Sequence, residues 1–270
     1  MFIPILAYHK IQNQFEFDVS YTKPKQFEKQ IKYLFENDFY SISIDDYING
    51  KNCHDKEVIL TFDDAYSSVY EYAFPILERY NFTATIFVIT KFVGECNSWD
   101  YHFNSLKIRH CNWQQIETLS SKGWEIGSHT VSHQNLKNLP LKELWYELRY
   151  SKDILENRLN KHINIFSYPF GSFSDNVIKF VKTAGYEAAC TLGYNFPYNE
   201  NFPYALFRRG VYFFEPLPIF KIKLLNNRLS HFDDLRQIFF SKVSKSSVLL
   251  RFLKSSLKNI LINNSYSFRL

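Results

Sequence analysis

Val58-Ile59-Leu60-Thr61-Phe62-Asp63-Asp64-Ala65-Tyr66 is the stretch on which the reading of this chain turns. Five residues of nearly continuous apolar character describe a parallel strand covered on both faces, and two adjacent carboxylates close it. Working outward, runs of the same kind recur at 3–7, 40–44, 83–89, 124–127, 163–168, 186–192 and 207–211. Segments of helical period separate them. Phe27, Ile31, Leu34 and Phe35 fall at i, i+4, i+7 and i+8, and Leu141, Leu144, Leu148, Ile154 and Leu155 follow a comparable stripe after Pro140. Gly123 and Gly185 sit where a helix stops before the next strand. This many β-then-α units predicts an α/β fold, an irregular (β/α) barrel of about seven strands, rather than an open doubly wound sheet. No GxGxxG or GxxxxGKS phosphate loop occurs, which argues against a nucleotide-binding sheet.

The chain has 270 residues, enough for one large domain with an extension. Hydrophobic residues make up 46% and charged residues 22%, so disorder is excluded for most of the length. The 27 Phe and 19 Tyr make this a core built from rings. Such rings also line sugar-binding clefts, but packing is the reading for most of them. Cys53, Cys96, Cys111 and Cys190 form no CxxC pair, which fits neither a zinc ribbon nor a disulfide framework and predicts free thiols in a reducing compartment. MFIPILAYHK lacks a basic leader and its apolar run ends at His9, so it reads as a first strand and not as a signal peptide. No apolar stretch is long enough to span a membrane.

The net charge of +5 is unevenly spread. From Pro216 onward ten Lys and Arg face only Asp233 and Asp234, which leaves that stretch at +8 and the first 215 residues at −3. The expected organisation is therefore a main domain over 1–215 and a basic, helical extension over 216–270. The chain as a whole is not a nucleic-acid binder. Leu249, Leu250, Leu253, Leu257, Ile260 and Leu261 share one helical face, with Arg251, Lys254 and Lys258 opposite or flanking. That pattern suits a helix lying in an anionic membrane interface, or one packed on the barrel with its charges in water. The expected location is the cytoplasm or the cytoplasmic membrane face.

Three segments carry chemistry. Asp63 and Asp64 close a buried strand, and in a parallel barrel the strand C-termini open onto the face where active sites are built. One carboxylate could bind a cation while the other faces a substrate; the competing reading is a helix N-cap with an acidic first turn. In Ser128-His129-Thr130-Val131-Ser132-His133 the HxxxH spacing brings two imidazoles to one helical face, or around one turn of a loop, so that both reach one ion. Two surface histidines are the alternative. Two His and one Asp would leave a position open for water, as in hydrolytic metal sites. Phe166-Ser167-Tyr168-Pro169-Phe170-Gly171 ends a strand in a turn that can aim amide N–H groups into a cleft, or can be an ordinary strand-to-helix turn.

TFDDAY, SHTVSH and FSYPFG, in that order and spacing, resemble the polysaccharide deacetylases of carbohydrate esterase family four, which share the NodB homology domain. The likeness runs from the first strand to residue 212. It implies that Asp63 is the general base, that Asp64, His129 and His133 hold one divalent metal ion, usually zinc, and that the Phe170 N–H serves the oxyanion. Leu6-Ala7-Tyr8-His9-Lys10-Ile11 is similar to the YHxI segment of the poly-N-acetylglucosamine deacetylase branch, where a first-strand histidine replaces the late Leu-x-His motif. No late Leu-x-His is present here, so His9 is the implied proton donor. Two departures stand out. The usual Gly after the Asp pair is Ala65, which would cost roughly 1 kcal/mol if positive φ were needed. The arginine that often precedes the proline of the third motif is missing, with Tyr168 nearby. The resemblance implies metal-dependent removal of N-acetyl groups from an acetylated amino-sugar glycan. The alternatives are a lipid-linked or other small sugar at the membrane face, or a non-catalytic carbohydrate-binding relative.

Overall fold

The structure, a computed structural model, describes residues 3–14, 20–51, 54–96, 108–192 and 203–226. Cys53 and the amphipathic face at 249–261 lie outside the described residues. The strands are β1 (Ile5–Tyr8), β2 (Lys10–Ile11), β3 (Tyr21–Thr22), β4 (Tyr40–Ser41), β5 (Glu57–Phe62), β6 (Thr85–Val88), β7 (Glu125–Ser128), β8 (Ile165–Ser167), β9 (Ala188–Leu192) and β10 (Leu206–Gly210). The helices are α1 (Pro24–Glu36), α2 (Ile44–Ile48), α3 (Phe74–Arg79), α4 (Trp113–Ser121), α5 (Leu141–Trp145), α6 (Ser151–Leu159), α7 (Asp175–Thr183) and α8 (Leu217–Lys223).

The main sheet runs β1-β10-β9-β8-β7-β6-β5 in parallel, and β1 pairs again with β5, so seven strands close into a barrel. β4 is attached to the start of β5. Alternation along each strand splits the core in two. Ile5, Ile59, Phe87, Ile165, Ala188 and Cys190 form an inner cluster. Leu6, Leu60, Phe62, Phe166 and Ala189 belong to the cluster shared with α1, α4, α6 and α7. In β5 the inward series is therefore Ile59, Thr61 and then Asp63. Ladder bonding runs one residue past the strands: the Asp63 N–H donates to Tyr8 O at 2.9 Å and the His129 N–H to Val88 O at 2.9 Å. Both side chains are thereby fixed at one rim of the barrel.

Every strand expected from the sequence is present, with shifted ends. The expected strand at 40–44 stops at Ser41, because Ser43 accepts the Asp46 N–H as an N-cap and turns the chain into α2. Gly123 (φ 85°) and Gly185 (φ 87°) end α4 and α7 as expected. The stripe after Pro140 is less regular than its spacing suggests. A π-helical turn over Tyr146–Tyr150 links α5 to α6, and Leu141 is left exposed. Phe35, placed in the first helical stripe, is also exposed. Cys96, Cys111 and Cys190 are free thiols.

The start of the expected basic extension folds back onto the barrel as α8. Phe220 is fully buried, buried Lys223 pairs with buried Glu215 at 3.1 Å, and Arg209 donates to the carbonyls of Lys223 and Leu225 at 2.6 and 2.7 Å. Among the described residues no helix is long and apolar enough to cross a membrane.

Candidate active site

After β5 the chain turns through two left-handed residues, Asp64 (φ 69°) and Ala65 (φ 51°). An aspartate tolerates this conformation and an alanine does not, so the departure at Ala65 falls on a strained position. The turn is held from one side. His110 Nδ1 lies 2.6 Å from Asp64 O, and the Cys111 N–H donates to Ala65 O at 2.7 Å. The His110 ring lies between Tyr66 and Phe92, nearly parallel to both. The helical run begins only at Ser67, three residues past Asp64, so neither aspartate is its N-cap or part of its first turn.

This turn aims the two carboxylates differently. Asp64 Oδ1 lies 3.5 Å from His129 Nε2 and 3.6 Å from His133 Nε2, and all three residues are buried. One ligand atom from each falls within 4.8 Å of the others, so the three could hold one metal ion. Their chemistry suits that task. The His129 Nδ1–H donates to Ser167 O at 2.8 Å, which leaves the Nε2 lone pair facing Asp64. Burial pushes His129 down to about 4 and His133 well below its ordinary value, so both imidazoles are neutral and able to ligate.

The HxxxH pair is not helical. His129 follows β7, and the chain reaches His133 through a loop with positive φ at Thr130 (70°) and at His133 (60°). Within it the His133 N–H donates to Thr130 Oγ1 at 2.9 Å. From outside, the buried Glu147 carboxylate accepts the Val131 and Ser132 N–H groups, each at 2.9 Å, and the Ser132 hydroxyl at 2.5 Å. Ser151 on α6 meets Ser128 at 2.8 Å. One helix thus grips both ends of the loop.

Asp63 belongs to a second, charged constellation. Arg208 of β10, fully buried, donates from Nη1 to Asp63 Oδ1 at 2.7 Å and from Nη2 to Oδ2 at 2.8 Å. It also donates to Thr61 Oγ1 at 3.0 Å and Ser167 Oγ at 2.7 Å, and its guanidinium lies over the Phe87 ring. Burial would raise the Asp63 carboxyl, but Arg208, helped by His129 and His9, holds it well below the usual carboxylate range. An arginine does reach Asp63, but from β10 and not from the third-motif loop. Sequence reading missed it; the available signal was a cation at an inward position of a buried strand.

His9 follows β1 and is half-buried, close enough to act electrostatically on Asp63, His129 and His133. Phe170 (φ 59°) sits in the turn Pro169–Gly171, with its ring edge-on to His133 at 4.6 Å. Gly171 (φ 60°) is required there, because a Cβ would run into the backbone of Leu192. The structure thus brings Asp63, Asp64, His129, His133, Phe170 and His9 to one rim, and adds Arg208, Glu147 and His110.

Comparison with known proteins gives a consistent picture. Residues 50–189 match the sequence profile of the family described as polysaccharide deacetylase. YxkH, a polysaccharide-deacetylase-type protein of Bacillus subtilis, is 29% identical over 193 residues, which cover 70% of this chain and 64% of YxkH. The poly-beta-1,6-N-acetyl-D-glucosamine N-deacetylase of Staphylococcus aureus is 29% identical over 172 residues, covering 59% of this chain and 57% of the enzyme. The chain thus spans less than two thirds of the length of either relative. In fold it is similar to the Streptococcus pyogenes deacetylase PplD, solved in complex with acetate, with a TM-score of 0.72 at 24% identity over 83% of this chain and 98% of PplD.

Proposed function

The chain belongs to the polysaccharide deacetylase family, and from that premise we propose that it removes the N-acetyl group of an acetylated amino sugar within a glycan, releasing acetate. The observation that carries this reading is the pairing of two buried constellations: the donor set Asp64, His129 and His133, and the Arg208-held Asp63 beside it. Two neutral imidazoles and a carboxylate make a donor set suited to zinc, which we take as the resident ion. When bound there, such an ion supplies Lewis acidity, which polarises the acetyl carbonyl and makes water more acidic.

Everything else falls to the chain's own groups. Asp63 is ionised and oriented by the Arg208 fork, and it accepts a proton from the attacking water. The Phe170 N–H donates to the acetyl oxygen as negative charge builds on it. The next two amides are engaged elsewhere, Gly171 with Tyr168 O at 2.9 Å and Ser172 with Pro169 O at 3.1 Å. His9, at the end of the neighbouring strand, passes a proton to the departing sugar nitrogen as the general acid.

The test is acetate release from a β-1,6-linked N-acetylglucosamine oligomer by the zinc-loaded protein, with new primary amines counted in parallel. Equal amounts of acetate and amine support the reading. An oligomer that stays fully acetylated, with enzyme and metal both in excess, contradicts it.

A further inference from the structure

The turn that carries Asp64 is pinned by one neighbouring stretch, residues 109–111. The Cys111 N–H donates to Ala65 O at 2.7 Å and the Ser67 N–H to Arg109 O at 2.9 Å, so the two stretches pair antiparallel through Tyr66 and His110. Residues 109–111 are secured from their other side as well. The His110 N–H donates to Glu95 O and the Gly94 N–H to Cys111 O, both at 2.9 Å. Backbone bonds that do not involve the His110 ring therefore hold this stretch in place.

The ring has a separate task. It is buried between Tyr66 and Phe92, with centroids 4.7 and 5.5 Å away and both planes 24° from its own. A phenylalanine would fill that space equally well. What an imidazole adds is polar, and a buried polar group is costly unless it is bonded. Among the described residues the His110 side chain makes one hydrogen bond, from Nδ1 to Asp64 O, and Nε2 has no partner. A carbonyl oxygen only accepts, so Nδ1 carries the proton.

Asp64 O belongs to the peptide that joins the two left-handed residues, Asp64 (φ 69°) and Ala65 (φ 51°). The Cβ of an alanine disfavours this region, so the turn has a standing tendency to relax toward negative φ. Relaxation at Ala65 swings that peptide, and the Asp64 carboxylate moves with it. Oδ1 would then leave the point where it meets His129 Nε2 at 3.5 Å and His133 Nε2 at 3.6 Å. The His110 N–H holds the same peptide by its oxygen.

We propose that His110 is a positioning residue for the metal ligand Asp64, clamping a peptide that Ala65 by itself would let swing. The role rests on the proposed assignment of Asp64 as a ligand. His110 and Ala65 thereby form a compensating pair. Plain packing has no such consequence: the need for the His110 hydrogen bond falls when residue 65 can adopt positive φ unaided, as glycine does.

Zinc affinity, measured by chelator competition without substrate, tests the pair. His110→Phe keeps a ring and loses the donor. His110→Asn loses the ring and puts an amide N–H in the place of Nδ1. The clamp predicts that His110→Phe binds zinc about tenfold more weakly, within the range for outer-shell partners of a metal site. His110→Asn should stay close to the parent protein in affinity, although it melts earlier for want of the stacked ring. Adding Ala65→Gly to His110→Phe should recover most of the lost affinity, while Ala65→Gly alone changes it little, so the two positions are coupled. In cobalt-loaded protein the ligand-field spectrum should shift in His110→Phe and return in the double variant. Affinity unaltered by His110→Phe, equally weakened by His110→Asn, or not recovered by Ala65→Gly overturns the clamp. Acetate release is read separately. Its absence in the parent protein, with the affinity pattern intact, would overturn the deacetylase reading and leave the clamp standing.

Discussion

Arg208 grips both carboxylate oxygens of Asp63, at 2.7 and 2.8 Å, from β10, which is separated from β5 by β1. Neither residue is exposed, so each is the other's principal compensation for losing water. Removing one partner is therefore costly. Arg208→Met should destabilise the protein by about 3–5 kcal/mol, because it strands a buried carboxylate. Arg208→Lys keeps a charge but not the fork, and should fold better while losing most turnover through a misaimed Asp63. Denaturant unfolding and kcat of both variants check this; a Lys variant of normal kcat would show that the fork is not needed.

Glu147 should govern metal affinity without being a ligand. Its carboxylate accepts from two of the four peptide N–H groups that link His129 to His133, those of Val131 and Ser132. In Glu147→Gln one acceptor faces two N–H groups less favourably, and zinc affinity should fall by about 10–100-fold, the usual range for outer-shell partners of a metal site. Competition with a chromophoric chelator measures it. Saturating zinc should restore most of kcat. Unchanged affinity would remove Glu147 from this role.

The third-motif turn should tolerate no side chain. Gly171→Ala adds a left-handed alanine, costing about 1–2 kcal/mol, and a clash with Leu192 on top. Gly123→Ala is the control: its φ is also positive, at 85°, but nothing lies within 4 Å of the added Cβ. Melting temperatures should fall for both and clearly further for Gly171→Ala, which alone should lose turnover as Phe170 shifts. Equal losses would mean that the close approach to Leu192 does not matter.

Seven barrel strands and three motif loops were legible because each is a local pattern, a continuous apolar run or a short polar signature at its end. The two helix stops at Gly123 and Gly185 were legible for the same reason. Arg208 was not. Its partner lies 145 positions away in sequence, and only the closure of the barrel brings the two together. Glu147 was hidden in a helix read for its apolar stripe alone, where a buried carboxylate looks like one more polar position. Glu147 lies within the π-helical turn, and the stripe stays buried at Leu144, Leu148 and Leu155 while Leu141, at the start of α5, is exposed. Ala65 could be flagged as a departure from the sequence, but the strain became definite only with its φ of 51°.

Acid should unfold the metal-free protein through its buried imidazoles. Burial pushes His110 and His129 from 6.5 to about 4, and His133 further down. Between those values the unfolded chain binds more protons than the folded one, so stability falls as pH drops. It is fully present above about 6.5 and is lost progressively toward about 4. With chelator present, the denaturant midpoint should decrease steadily across that window. Bound zinc should flatten the decrease, since it competes with protons for His129 and His133. A midpoint that is flat without metal would contradict the neutral, buried state of these histidines.

The central claim is that one aspartate of the pair moves protons and the other holds metal. Zinc content and acetate release, measured together on purified Asp63→Asn and Asp64→Asn proteins, test it most directly. The account predicts that Asp63→Asn retains its zinc and loses turnover, because an amide cannot accept the proton of water, while Asp64→Asn loses both. An Asp63→Asn protein that still releases acetate at the original rate, or one that has lost its zinc, would contradict it.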